Sequence, residues 1–80
     1  GAQALTRNLA QLGSDLPENG SREHYMRAKI GFEYSRLTVH PFERQDSALL
    51  SVLSSANGLL VRPPFDPAKK AGDLVEIIQF

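Results

Sequence analysis

One stretch decides the fold, and it is Arg44–Pro64, with the sequence RQDSALLSVLSSANGLLVRPP. Asp46 or Ser47 can cap a helix, because a short side-chain oxygen accepts from the orphan N–H groups of a first turn. Apolar residues then follow at the helical spacing i, i+3, i+4 and i+7, namely Leu49, Val52, Leu53 and Ala56. A helix of roughly nine residues is marginal alone, so its apolar face predicts a core supplied by the rest of the chain.

The second half of this stretch predicts the end of the helix and then a strand. Asn57-Gly58 supplies a left-handed residue to end the helix. Leu59–Val61 is a short apolar run typical of a buried strand. Pro63–Pro67 ends that strand as a stiff loop, because proline cannot donate to a ladder. After a turn at Gly72, Leu74–Phe80 predicts a last apolar strand.

The residues before this stretch predict further strands. Residues 1–12 suit a helix about as well as a strand, but the turn-rich residues 13–20 predict a hairpin loop. The first element would then be a strand paired with the next one. That next strand, Arg22–Ile30, alternates, with His24, Met26, Ala28 and Ile30 on one face.

A second hairpin is expected after Ile30. Gly31–Arg36 is interpreted as its connection, with Phe32 and Tyr34 as anchors, and Leu37–Pro41 resumes the alternation. Five strands and one short helix favour a small all-β barrel or sandwich. The predicted core consists of Ile30, Val39, Leu49, Val52, Leu53, Leu60, Val61 and Ile77.

Composition narrows the function classes. Eighty residues make one small domain, and nine basic residues balance nine acidic ones, which removes the basic field that non-specific nucleic-acid binding requires. Cysteine is absent, so neither a disulfide nor a thiolate metal site is expected. No apolar run approaches the roughly 20 residues that span a bilayer, so we expect a soluble protein. The start without Met predicts a domain taken from a longer protein.

The sequence contains no complete set of catalytic residues or of metal ligands. Ser47 lacks the small-residue elbow of a nucleophile, and His24 is better interpreted as a strand residue than as a ligand. An anion site is possible at the N-terminus of the predicted helix near Ser47, where Arg27 and Arg44 could add charge. In the alternative interpretation, Asp46 and Ser47 merely cap the helix and Arg27 lies on a solvated strand face.

Several short blocks occur in one order and spacing between Asp15 and Phe80. They are His24–Ala28, Val39–Pro41, Gln45–Ser47, Leu50–Ser51, Ala56–Val61 and Ala71–Glu76. Because these blocks occur in this order, the chain resembles the C-terminal domain of the molybdopterin molybdenumtransferase family, which includes MoeA and the gephyrin E-domain. The resemblance implies a β-clip-like fold, an incomplete five-stranded barrel, which agrees with the strands inferred above.

The resemblance also implies a function for a longer protein. Family enzymes insert molybdate into adenylylated molybdopterin with Mg²⁺ and release AMP, in molybdenum cofactor biosynthesis. The implied enzyme is a cytoplasmic, multidomain homodimer in which this domain closes one side of the active-site cleft. Its catalytic acidic residues lie on another domain, so residues 1–80 should hold neither catalytic residues nor a metal and should be inactive alone.

The family positions carried over are Arg27, which precedes a small residue, and Ser47, and Arg44 adds charge nearby. They are therefore the expected substrate-binding residues. Asp46 departs from the family, where a glycine is common, and it places a carboxylate near the expected anion site. The alternative is a non-catalytic β-module for protein binding or structural support, which would need no anion site.

Overall fold

The computed structural model describes residues 6–42 and 56–80, and there it contains five strands and no helix. They are β1 (Thr6–Leu12), β2 (His24–Glu33), β3 (Arg36–Pro41), β4 (Gly58–Arg62) and β5 (Leu74–Gln79). Their order around a closed barrel is β1-β3-β2-β4-β5. The all-β, five-stranded prediction is confirmed. The predicted helix lies outside the described residues, except for Ala56, which has no regular structure.

The first strand closes the barrel. β1 pairs antiparallel with β5 along its length, from Thr6↔Gln79 to Gln11↔Leu74, and parallel with β3 only through Gln11 and Leu12. The prediction that β1 pairs with β2 is wrong, because β3 and β4 occupy the two edges of β2. The loop after β1 instead bridges to the loop before β5, through paired hydrogen bonds of 2.9 Å between Leu16 and Lys69.

Alternate residues of the strands fill the barrel. The buried cluster consists of Ala10, Leu12, Ala28, Ile30, Val39, Leu60, Val75 and Ile77, and it includes four of the predicted core residues. Val61 is buried as well but lies outside that cluster. The predicted core residues Leu49, Val52 and Leu53 are outside the described part of the chain.

The β2–β3 hairpin is tighter than predicted. β2 continues to Glu33, and only Tyr34 and Ser35, both with positive φ (52° and 65°), connect it to β3. This pair of left-handed residues matches the twist of a two-residue hairpin turn. Phe32 and Tyr34 are not anchors, because they are 77% and 98% exposed.

Gly58 lies within β4 and is not among the described residues with positive φ, so its predicted role as a left-handed helix end is wrong. A Cβ at this position would lie 2.7 Å from the Ile78 carbonyl oxygen and would overlap the Ile30 side chain. Glycine therefore allows β4 to approach β5 and the core closely. The side chain of Asn57 extends the ladder, since it accepts from Ile30 N (2.7 Å) and donates to Ile30 O (2.8 Å).

A buried arginine joins the loops at one end of the barrel. Arg62 is 2% exposed, and its Nε donates to Asp66 Oδ2 at 2.8 Å. Nη2 of the same guanidinium donates to the carbonyl oxygens of Pro17 (2.8 Å) and Pro67 (3.2 Å). Within residues 6–42 and 56–80, every buried side-chain nitrogen or oxygen has a hydrogen-bond partner.

Candidate functional site

Arg27 lies on the outer face of the barrel. In β2 it alternates with the buried Ala28, so its side chain shares a face with Tyr25 and Lys29. It is half-buried and lies opposite Leu59 of β4. The prediction of a strand arginine on the non-core face is therefore confirmed in position, while its ligand stays a prediction.

One neighbouring strand ends and another begins next to Arg27. β3 ends beside it, where Phe42 N donates to the Arg27 carbonyl oxygen at 3.1 Å. β4 begins beside it as well, where Asn57 N donates to the Ala28 carbonyl oxygen at 3.2 Å. Phe42 and Asn57 are thus each bonded to one of two neighbouring residues of β2. Arg44 and Ser47 lie between them in the sequence and outside the described residues, so the structure does not place them against Arg27.

A chain of polar side chains crosses the outer face next to Arg27. The Tyr25 hydroxyl donates to Glu23 Oε1 at 2.5 Å, and Arg7 on β1 forms an ion pair with Glu76 on β5 at 2.9 Å. The hydrogen bond to Glu23 is the main cause that raises the pKa of Tyr25, while the nearby Arg7 guanidinium lowers it. The outer face that carries Arg27 therefore also carries Arg7 and the carboxylates of Glu23 and Glu76.

Sequence reasoning did not single out Arg7, Tyr25, Glu23 or Glu76. Tyr25 could have been identified from the sequence, because the alternation of β2 already places it on the same face as Arg27. Arg7 and Glu76 could not be found, since they meet only through the pairing of the first strand with the last.

The histidines lie apart. His24 is exposed at the start of β2, whereas His40 on β3 lies 2.5 Å from Glu33 Oε2 in the β2–β3 hairpin. In the described part of the chain, no three His, Cys, Asp or Glu residues come together as metal ligands, so these residues do not fit a Mg²⁺ site. Nor does this part contain a helix with the length and apolar character needed to cross a membrane.

Comparison with known proteins identifies the barrel. A family model described as the MoeA C-terminal region (domain IV) matches residues 9–80. The chain belongs to this family. The match covers every strand except the first residues of β1.

The fold of this MoeA domain IV is also found in a solved structure. It is similar to the crystal structure of the molybdopterin biosynthesis MoeA protein from Pyrococcus horikoshii OT3, with a TM-score of 0.72 and 24% identity. The alignment covers 95% of this chain and 19% of that chain, so the domain spans about a fifth of the archaeal protein. No curated protein matches the chain.

Proposed function

We propose that this chain is the substrate-cleft domain of a molybdopterin molybdenumtransferase, which inserts molybdate into adenylylated molybdopterin and releases AMP. The observation that carries the proposal is the position of Arg27 on the outer face of a MoeA domain IV barrel. A supporting observation is that Phe42 and Asn57, which flank the stretch with Arg44 and Ser47 in the sequence, bond to Arg27 and Ala28 of β2.

The proposed role of these residues is anion binding. A guanidinium offers a planar fork of donors to a phosphate or molybdate oxygen, and such charge-assisted hydrogen bonds are roughly twice as strong as neutral ones. In this proposal Arg27 contacts an anionic group of the pterin nucleotide or of molybdate, Arg44 adds charge, and Ser47 donates a hydroxyl hydrogen bond. The negative charge of Asp46 weakens the binding of the anion in this proposal.

The remaining parts of the reaction are assigned to the rest of a longer protein. We place the catalytic acidic residues and the Mg²⁺ ion on other domains of a cytoplasmic homodimer. Mg²⁺ supplies charge neutralisation for the nucleotide there, and the present chain contributes one wall of the cleft. Residues 1–80 alone should therefore release no AMP from adenylylated molybdopterin and molybdate.

Arg27→Ala in the full-length protein tests the proposal. It should weaken ligand binding or turnover by about 10–100-fold, because a charge-assisted hydrogen bond contributes about 1.5–3 kcal/mol. The melting temperature should change little. Ligand affinity by calorimetry and a thermal melt on the same preparation measure both quantities.

Lys29→Ala is the matched control, because Lys29 is exposed on the same face of the same strand. It should leave affinity and melting temperature unchanged. Normal affinity of Arg27→Ala would remove Arg27 from the site, and a large fall in its melting temperature would identify a structural arginine.

The second candidate function is a non-catalytic β-module that binds another protein or supports a larger structure. The exposed aromatic side chains of Phe32 and Tyr34 at the hairpin tip favour it. Replacing both with serine would then impair assembly of the full-length protein, while Arg27→Ala would have no effect on ligand affinity. The opposite pattern supports the transferase.

A further inference from the structure

The sequence contains two Asn-Gly pairs, Asn19-Gly20 and Asn57-Gly58. In such a pair the backbone nitrogen of glycine can attack the side-chain amide of asparagine, because glycine has no Cβ to hinder the approach. The attack closes a five-membered succinimide ring and expels ammonia, and water then opens the ring to aspartate or isoaspartate. Whether a pair reacts in the folded protein depends on how firmly the fold holds these atoms.

The fold holds Asn57-Gly58 at every reacting atom. Both ends of the Asn57 side chain are bonded to the Ile30 backbone, since Oδ1 accepts from Ile30 N at 2.7 Å and Nδ2 donates to Ile30 O at 2.8 Å. Gly58 is buried, and its strand β4 is paired with β2 on one side and with β5 on the other. Ring closure at this pair would therefore require separation of strands.

Asn19-Gly20 lies instead in the loop before β2 and belongs to no strand. Gly20 is exposed, and a Cβ at its position would meet nothing within 4 Å. Among the residues that the structure describes, Gly20 N has no hydrogen-bond acceptor. The attacking nitrogen of this pair is therefore free, and water reaches it.

The Asn19 side chain is bonded at one end only. Nδ2 donates to the carbonyl oxygens of Pro63 (2.8 Å), Arg22 (3.0 Å) and Arg62 (3.3 Å), whereas Oδ1 has no partner in the described part of the chain. Backbone hydrogen bonds also join Asn19 N to Asp66 O and Phe65 N to Gly20 O. All these bonds connect loop residues or strand ends, so their release needs only a local opening, which costs much less free energy than global unfolding.

We propose that Asn19 is a site of spontaneous deamidation in the folded protein. Gly20 N forms a bond to Asn19 Cγ, the Cγ–Nδ2 bond breaks, and the nitrogen leaves as ammonia with the proton from Gly20 N. Water adds to the succinimide and gives an aspartyl or isoaspartyl residue at position 19. This inference does not depend on the transferase proposal.

The reaction removes a tie between two loops of the barrel. A carboxylate has no hydrogen to donate, so it cannot bond to the carbonyl oxygens of Pro63, Arg22 and Arg62, and their negative ends repel its charge. In isoaspartate the main chain also gains a carbon atom, which displaces Gly20 from Phe65 N. The modified chain should therefore be less stable than the original one.

Incubation of the 80-residue chain in mildly alkaline buffer, followed by peptide mass spectrometry, tests the proposal. Trypsin separates the two asparagines, because it cleaves after Arg22 and Arg44. In the folded chain, Asn19 should convert at least about tenfold faster than Asn57, because its reaction needs only local opening. In concentrated urea the two rates should become similar, since both residues precede glycine. Equal rates in the folded chain, or reaction of Asn19 in urea alone, would overturn the proposal.

Two variants test the chemistry and its consequence. Gly20→Ala should slow conversion of Asn19 and leave Asn57 unaffected, because its methyl group hinders the attack while the surrounding space accommodates it. Asn19→Asp carries the product and should lower the melting temperature by about 5 °C, through the lost hydrogen bonds.

Asn8→Asp is the matched control for the second variant. Asn8 uses only Oδ1, which accepts from Leu9 N at 2.8 Å, and aspartate keeps that acceptor. Its melting temperature should equal that of the original chain. An unchanged conversion rate in Gly20→Ala, or equal melting temperatures of Asn19→Asp and Asn8→Asp, would contradict the proposed site and its effect on the loops.

Discussion

At the scale of single residues, Gly58 shows how close the strands approach. Gly58→Ala should destabilise the domain by about 1–3 kcal/mol, because its Cβ would meet the Ile78 carbonyl oxygen, which cannot rotate away. Gly31→Ala is the matched control, since a Cβ there meets nothing within 4 Å. It should change stability by no more than about 0.5 kcal/mol. Urea unfolding of both variants measures the difference, and equal midpoints would show that β4 has room for a side chain.

Tyr25 gives a prediction that depends on pH. Its pKa is raised above the ordinary 10.0 mainly because its hydroxyl donates to Glu23, and Arg7 opposes this shift. Since the folded pKa is the higher one, any stability from this hydrogen bond is fully present below pH 10.0 and is lost as the pH rises through the folded pKa. Glu23→Gln should lower the pKa of Tyr25, and Arg7→Gln should raise it.

Tyrosinate absorbance during an alkaline titration measures this pKa. Tyr34→Phe in all proteins leaves Tyr25 as the only tyrosine, because the chain has two. A shift in the same direction for both variants would contradict the opposing effects of Glu23 and Arg7.

The sequence predicted the face on which Arg27 lies, but it did not predict the structural roles of Asn57 and Gly58. Alternation alone places Arg27 on the outer face, because the period of a strand is two residues. Asn57-Gly58 has a composition that favours turns and helix ends, but tertiary contacts determined its structure instead. Asn57 bonds to the Ile30 backbone and Gly58 lies against Ile78, and neither neighbour is near in sequence.

At the scale of elements, the two loops at one barrel end depend on Arg62. Arg62→Met should destabilise the domain by about 1–3 kcal/mol, because it removes the donor to the carbonyl oxygens of Pro17 and Pro67 and leaves the partly buried Asp66 with only its 4.0 Å ion pair to Lys69. Chemical unfolding monitored by circular dichroism measures the loss.

Two further variants separate this effect from a general loss of charge. Arg22→Met removes an exposed arginine from the adjacent loop and should cost no more than about 0.5 kcal/mol. Asp66→Asn keeps an acceptor oxygen for Arg62 Nε and should lie between the two. If Arg62→Met is as mild as Arg22→Met, the two loops hold together without the arginine.

The strands were more predictable than their pairing. Alternation and turn residues located β2, β3 and β5, since these signals are local. The predicted partner of β1 was wrong for two reasons. A hairpin between consecutive strands is the common arrangement, and the loop after β1 contains turn residues although it forms no hairpin. The buried Arg62 could not be foreseen either, because an arginine after an apolar run is ordinarily exposed.

At the scale of the whole molecule, four strands join through antiparallel ladders in the order β3-β2-β4-β5, and β1 completes the circle. Of the two seams of β1, the one with β5 is continuous and the one with β3 is short. Arg27 lies on β2, which is paired along both of its edges with β3 and β4.

The pairing of the first strand with the last has a kinetic consequence. Thr6 meets Gln79 only after nearly the whole chain has folded back, so closure carries a large loop entropy, and a high contact order slows folding. The β2–β3 hairpin is local and should form the nucleus. Val39→Ala should therefore slow refolding, with a φ-value above about 0.5, whereas Leu12→Ala in β1 should mainly accelerate unfolding, with a φ-value near zero. Stopped-flow chevron plots distinguish the two, and a high φ-value at Leu12 would mean that the ends of the chain meet first.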